Sequence, residues 1–307
     1  MDMLIKNIML AMANNKRLTD YIAAKGMKLG FARRFVAGEE LDDALKVVVD
    51  ANRKGILASL DHLGENVSDA KEALKAAEYY HAMLDVIRTQ NIQSSISVKL
   101  TQLGLDISEA TCRKYIEGVV QMAASHGQVV EIDMEDSSYT ERTISIFKGL
   151  HRQFDNLRLC IQAYLYRSEK DVNDLLAIGA RIRLCKGAYN EPKEVAFPSK
   201  EDVDANYKKL ARRLLEARCY PAIATHDEAM IEHIRRCLKE LRVDQSEFEF
   251  QMLYGVRRDL QDGLRKEGFN LRVYIPYGAQ WCPYFMRRLA ERPANTWFVL
   301  KNLILER

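Results

Sequence analysis

Five polar side chains recur near the ends of otherwise apolar runs: Lys99 in "SISVKLT", Asp133 in "VVEIDM", Gln162 in "LRLCIQAY", Arg183 in "RIRLCK" and Tyr274 in "LRVYIP". A charge taken out of water alone is costly, so its repeated appearance in such runs calls for partners and a purpose. Lys99 and Arg183 bring positive charge, and Asp133 and Glu135 bring carboxylates to answer it. A site furnished this way suits a small anionic substrate or a phosphate-bearing cofactor. A second group lies in "YGAQWCPYFMRRLAE" (277–291), where Tyr284, Arg287, Arg288 and Glu291 follow i, i+3, i+4, i+7 spacing after Pro283. These four share one helix face. By spacing alone that face reads ordinarily as solvated surface with an Arg–Glu pair. Its chemical reading is a paired-guanidinium clamp for a carboxylate or phosphate, with Glu291 orienting it.

The elements that must carry these residues follow from periodicity. Short apolar runs at 56–61, 95–101, 129–134, 157–164, 181–186, 222–226, 248–253 and 271–276 alternate with amphipathic stretches at 68–91, 108–126, 140–153, 168–178, 201–218 and 227–242. Ser68, Ser108, Ser168 and Asp227 open four of those stretches and are candidate helix caps. Eight strand–helix repeats predict an α/β fold of the (β/α)8 TIM-barrel type, preceded by a helical prelude over 1–54 and filling 55–307 as one domain. No G-x-G-x-x-G turn follows any strand, which argues against a dinucleotide-binding half. A barrel places its chemistry at the C-terminal strand ends, on side chains of one parity. Ser95, Ser97 and Lys99 share parity, as do Glu131, Asp133 and Glu135, and the set reads as the lining of a site.

Composition excludes several classes. The 307 residues are 48% hydrophobic and 29% charged with a net charge of +3, a soluble globular balance too weakly basic to imply nucleic acid. Six cysteines show no zinc-type or C-x-x-C spacing, which favours a reducing, cytoplasmic setting. Asp2, Lys6 and Asn7 interrupt the apolar start, so no signal peptide is expected, and no run is long enough for a transmembrane segment. The six histidines lack metal-ligand spacing, and no G-x-S-x-G elbow is present. Lys186, Gly187 and Ala188 form a turn whose backbone N–H groups could meet a pyrophosphate, a weak pattern by itself.

Taken together, "KLTQLGLD" (99–106), "IDMEDS" (132–137), "QAYLYRSEKDV" (162–172), "RLCKGAYNEPKEVAF" (183–197), "ATHD" (224–227), "FQMLYGVR" (250–257) and "YIPYGAQWCPYFMRRLAE" (274–291) resemble the proline dehydrogenase family, in its bacterial monofunctional form. Cys185 departs from the aliphatic residue often found there. The resemblance implies a distorted barrel whose last helix lies over the mouth, holding non-covalent FAD and oxidising L-proline to Δ1-pyrroline-5-carboxylate. It implies that Arg287, Arg288 and Lys99 meet the substrate carboxylate while Glu291 balances their charge. Tyr274 and Tyr284 would wall the ring, Arg183 would sit near flavin N5, and Asp133 would hold the network together. Met134, Gln162, Lys186, Gly187, Ala188, Thr225 and His226 would contact FAD, and Asp61 and Glu65 would partner the cations. Electrons would pass to a quinone during peripheral contact with the inner face of the membrane. Rival readings are the same chemistry on hydroxyproline, decided by the room beside Tyr274, and a non-catalytic flavoprotein of this fold.

Overall fold

The computed structural model describes residues 32–291, with side chains through Arg288. The first thirty-one residues of the expected helical prelude, including "MLIKNIMLAM", lie outside the described residues, as does the side chain of Glu291. Eight parallel strands close into a barrel in chain order: β1 (Leu57–His62), β2 (Ser94–Val98), β3 (Val130–Ile132), β4 (Leu157–Gln162), β5 (Arg181–Cys185), β6 (Ala222–Ala224), β7 (Glu249–Leu253) and β8 (Leu271–Tyr277), with β8 returning to β1. All eight coincide with the apolar runs read from the sequence. The helices are α1 (Leu41–Arg53), α2 (Ala70–Thr89), α3 (Glu109–Ser125), α4 (Thr140–His151), α5 (Ser168–Leu176), α6 (Lys200–Ala217), α7 (Glu228–Leu241), α8 (Arg258–Lys266) and α9 (Trp281–Glu291).

Each strand is buried on both faces. Its outward side chains (Ile96 and Val98 on β2, Ile132 on β3, Leu159 and Ile161 on β4) are wholly or almost wholly buried in the core shared with the helices. That double burial is why the strands read as apolar runs broken only by inward polar residues. Side chains satisfy several of the orphaned N–H groups at helix starts. Asp69 accepts from Lys71 N at 2.7 Å and Glu72 N at 3.2 Å, Ser108 accepts from Thr111 N, and Asp227 accepts from Ala229 N. Two expected caps are corrected. The α2 cap is Asp69 rather than Ser68, since the carboxylate one residue later reaches both donors. Ser168 is the first helical residue of α5, and its hydroxyl donates instead to Gln162 O at 2.5 Å.

Inside the barrel the lower layer is charged, where such folds ordinarily use branched apolar residues. Arg158 Nη1 donates to Glu249 at 2.7 Å and to Glu131 at 3.3 Å, Arg272 Nε donates to Glu249 at 2.8 Å, and Gln251 Nε2 donates to Glu131 at 2.9 Å. Glu131 and Glu249 are fully buried. Burial raises both carboxyls, yet Arg158 and the other arginines prevail and hold them below the usual range. This paired layer forms a polar floor under the strand ends.

Candidate active site

Asp133 follows β3, and its backbone N–H donates to Val98 O at 3.0 Å, so the sheet fixes it at the barrel mouth. Donors surround its carboxylate: Ser97 Oγ and Arg183 Nη2 on Oδ1, Tyr274 OH and Lys99 Nζ on Oδ2. Ser97 stands at 2.6 Å, Tyr274 at 2.7 Å and Lys99 at 3.1 Å. Lys99 also donates to Asp61 Oδ1 at 3.1 Å, which ties β1, β2 and β3 to one ammonium. The Arg183 guanidinium lies 5.5 Å over the Tyr274 ring, and its Nη1 is 3.5 Å from Glu131 in the floor. Lys99, Asp133, Arg183 and Tyr274, expected from parity alone, thus form one cluster.

Competing forces give the carboxyls of this mouth different states. Burial pushes Asp133 up, but Arg183 and Lys99 outweigh it and bring the group down to about 2. For Asp61 burial wins over Lys99, and its carboxyl is raised. Lys99 is lowered by burial but held well above its ordinary value by Asp61, Tyr274 and Asp133. Glu135 accepts from Thr101 N at 3.1 Å and from Thr101 Oγ1 at 2.5 Å. Burial still dominates there and lifts the carboxyl from 4.5 to about 7. A raised carboxyl favours the folded state while it is protonated, so this contribution is complete below 4.5 and is lost as pH rises through about 7. Glu135→Gln should therefore melt about 5 °C higher than the parent at pH 8 but not at pH 5. Thermal unfolding at both pH values checks this, and an equal shift at both would refute it.

Helix α9 crosses this cluster. Arg287 forks onto Glu65 in the β1–α2 connection, Nη1 to Oε1 at 2.8 Å and Nη2 to Oε2 at 3.2 Å. The same guanidinium lies 5.8 Å over the ring of Tyr189, in the connection after β5. β1 and β5 stand on opposite sides of the closed barrel, so α9 spans the mouth between them. Burial raises Glu65, but Arg287 holds it below its ordinary value. Arg288 lies 5.3 Å over the ring of Tyr284, which is buried. Glu65, far away in the sequence, is thus a partner of Arg287 that spacing could not name, and the Glu291 side chain lies outside the described residues.

The residues expected to hold a cofactor sit at the ends of β3 to β6. Gln162 Nε2 donates to Met134 O at 3.3 Å, so its amide spans β4 and the β3 end. Lys186 Nζ donates to Asp227 at 2.8 Å and also to Asp204, so this cation is already matched by carboxylates from α6 and the start of α7. Gly187 has φ +114°, and a Cβ there would collide with the Tyr164 ring, so the turn before Ala188 demands glycine. Thr225 Oγ1 accepts from Asp227 N at 3.1 Å, and His226 Nε2 accepts from Leu253 N at 2.8 Å, which leaves the ring proton of a neutral His226 on Nδ1. Ser97, Thr101 and Tyr189 escaped sequence reasoning as partners. Parity with Lys99 was the available signal for Ser97. Among the described residues no group of three or more metal-type ligands exists, and no helix is long and apolar enough to cross a membrane.

A (β/α)8 barrel whose mouth gathers the ionised Asp133 carboxylate, two buried cations and a helix-borne guanidinium is built as an enzyme site for a small charged molecule. The sequence pattern of the family described as Proline dehydrogenase matches residues 44–301, and the chain belongs to that family. It is 42% identical to Proline dehydrogenase 1 of Bacillus subtilis subsp. natto, covering 98% of this chain and 99% of that protein. Proline dehydrogenase of Deinococcus radiodurans is 35% identical, covering 99% of both. Among solved structures, proline utilization A from Bdellovibrio bacteriovorus inactivated by N-propargylglycine superposes with a TM-score of 0.83 at 25% identity. That match takes in 94% of this chain but 36% of the larger protein.

Proposed function

We propose that this protein is an FAD-dependent proline dehydrogenase that oxidises L-proline to Δ1-pyrroline-5-carboxylate, the first step of proline catabolism, with a quinone as electron acceptor. The observation that carries the reading is the Asp133 hub, which fixes Lys99, Arg183 and Tyr274 beneath the Arg287 fork. The residues present fit the cofactor. Gln162 Oε1 is buried without a hydrogen-bond partner, an acceptor left for a ring edge rich in heteroatoms. Met134, Gln162, Arg183, Lys186, Gly187, Ala188, Thr225 and His226 would hold FAD. The chemistry a bound FAD supplies is acceptance of a hydride at N5 from the ring carbon next to the proline nitrogen, and onward passage of electrons.

The chain's own residues do the rest. Lys99, Arg287 and Arg288 attract and orient the proline carboxylate, with Tyr274 and Tyr284 as walls for its ring. The surplus of cations disfavours the ammonium form of the substrate, which must give up its proton before a hydride can leave. Asp133 is no base for that proton. Its carboxylate is held at about 2 and accepts from surrounding donors, so it positions Lys99, Arg183 and Tyr274. Arg183 would supply the positive charge that stabilises electrons arriving on a reduced ring.

The test is spectroscopic. Purified protein should be yellow and should bleach anaerobically with L-proline. Proline should support turnover with a short-chain quinone or a dye and none with NAD. L-prolinamide, which lacks the carboxylate charge, should lose about 100-fold in kcat/KM. A colourless protein that FAD cannot reconstitute would end the flavin reading, and persistent colour with no bleaching by any cyclic imino acid would favour a binding role. Equal turnover of the amide would remove the carboxylate clamp.

A further inference from the structure

Two thiols take no part in the chemistry above. Cys160 on β4 and Cys185 at the mouth end of β5 both point inward, and strand pairing sets Cys160 opposite Arg183 and Gln162 opposite Cys185. Their sulfurs are 3.6 Å apart. Cys160 is buried, while Cys185 is partly open. Cys112, Cys219 and Cys237 face a backbone carbonyl or His233 instead, so they serve as internal controls.

We propose that Cys160 and Cys185 are a reversible dithiol–disulfide pair, oxidised by hydrogen peroxide entering through the barrel mouth, and that the bridge switches the site off. The hydrogen bond from Cys185 lowers the Cys160 thiol to about 7, burial opposes this and Arg183 adds to it, so a sizeable thiolate fraction exists at neutral pH. Cys185 is correspondingly raised and keeps its proton. The Cys160 thiolate attacks one peroxide oxygen, the O–O bond breaks, and the departing hydroxide leaves as water with one proton. Cys160 is then a sulfenic acid. The Cys185 sulfur attacks the Cys160 sulfur, the S–O bond breaks, and a second water leaves with the Cys185 proton. Two thiols and one peroxide become one disulfide and two waters, the sulfurs losing two electrons and the peroxide gaining them. Closing the gap from 3.6 Å to the ~2.05 Å of a disulfide pulls the two side chains together between Arg183 and Gln162. A dithiol reductant should reopen the bridge.

The decisive experiment treats the purified full chain with excess hydrogen peroxide, alkylates the remaining thiols and maps the digest by mass spectrometry without reduction. The expected result is a peptide joining Cys160 to Cys185, the other cysteines alkylated, and activity down by about tenfold or more until dithiothreitol restores it. Cys160→Ser and Cys185→Ser should each abolish the joined peptide and the reversible loss, while Cys237→Ser should keep both. The joined peptide is read without turnover, so it stands or falls apart from the proline assignment. No joined peptide after oxidation, sulfinic acid on Cys185 with Cys160 still alkylated, or the same reversible loss in Cys160→Ser would each overturn the proposal.

Discussion

Asp133→Asn should reduce kcat/KM for L-proline by about 100-fold or more while keeping the shape of the residue. Asparagine is nearly isosteric, so the loss isolates charge and hydrogen-bond direction. The carboxylate accepts from Ser97, Arg183, Lys99 and Tyr274. An amide offers one acceptor oxygen and turns two N–H groups toward donors that cannot receive them. Lys99 and Arg183 would also lose the negative charge between them, leaving Asp61 and Glu131 as their remaining anions. Removing one member of a buried ion pair costs about 3 kcal/mol, and this should appear as a lower melting temperature at neutral pH. Sign and pH window follow from the depressed titration. Asp133 stabilises the fold above its ordinary 3.8, and the contribution fades as pH falls toward about 2. The melting difference between parent and variant should therefore shrink in acid. Steady-state kinetics with a dye acceptor and melting curves from pH 3 to 7 check both parts. A variant within threefold of the parent in kcat/KM would show that Asp133 positions nothing essential.

Much of this arrangement was legible in the sequence because parallel strands leave a plain signature. Runs buried on both faces are apolar, and a Lys, Asp, Gln, Arg or Tyr late in such a run has only the barrel interior to enter. That argument located Lys99, Asp133, Gln162, Arg183 and Tyr274, and motif resemblance added Arg287. What spacing could not supply was the pairing across the barrel. Glu131 meets Arg158 27 residues away, and Arg158 meets Glu249 91 residues away, so the charged floor exists only once the sheet closes. The same limit explains the Arg287 partner. Arg287 forks onto Glu65, 222 residues distant, a contact that local spacing could not name because α9 crosses the mouth. The start of α2 was misread for a smaller reason. Ser68 and Asp69 are adjacent candidates, and only the built turn tells which oxygen reaches the N–H groups.

The other large effect should come from Arg287 and Arg288, and it should fall on affinity. Arg287 presents both terminal nitrogens to Glu65 and a face to Tyr189, so its guanidinium is held flat across the mouth. Arg288 stacks on the buried Tyr284 ring, which fixes its plane too. Two guanidiniums held in plane before substrate arrives lose little freedom when a carboxylate binds, and that pre-organisation is what lysine cannot reproduce. Arg288→Lys keeps the charge but loses the planar fork and the stacking, so KM for L-proline should rise about 10- to 100-fold with a smaller change in kcat. Arg287→Ala should raise KM at least as much. It also leaves Glu65 partly buried with its held-down carboxyl unpaired, so α9 should loosen over the mouth. The FAD content of Arg288→Lys should match the parent, since the proposed cofactor residues lie on the β3–β6 side. Glu65→Gln separates two roles of the pair. If Glu65 only aims Arg287, the amide keeps one hydrogen bond and KM rises by less than in Arg287→Ala. If the carboxylate of Glu65 competes with that of proline for the same fork, KM falls instead. The flat, doubly engaged geometry favours the aiming role, so the expected order of KM is parent, then Glu65→Gln, then Arg287→Ala. Unchanged KM in both arginine variants would leave the Arg287–Glu65 pair a structural contact with no part in holding the carboxylate.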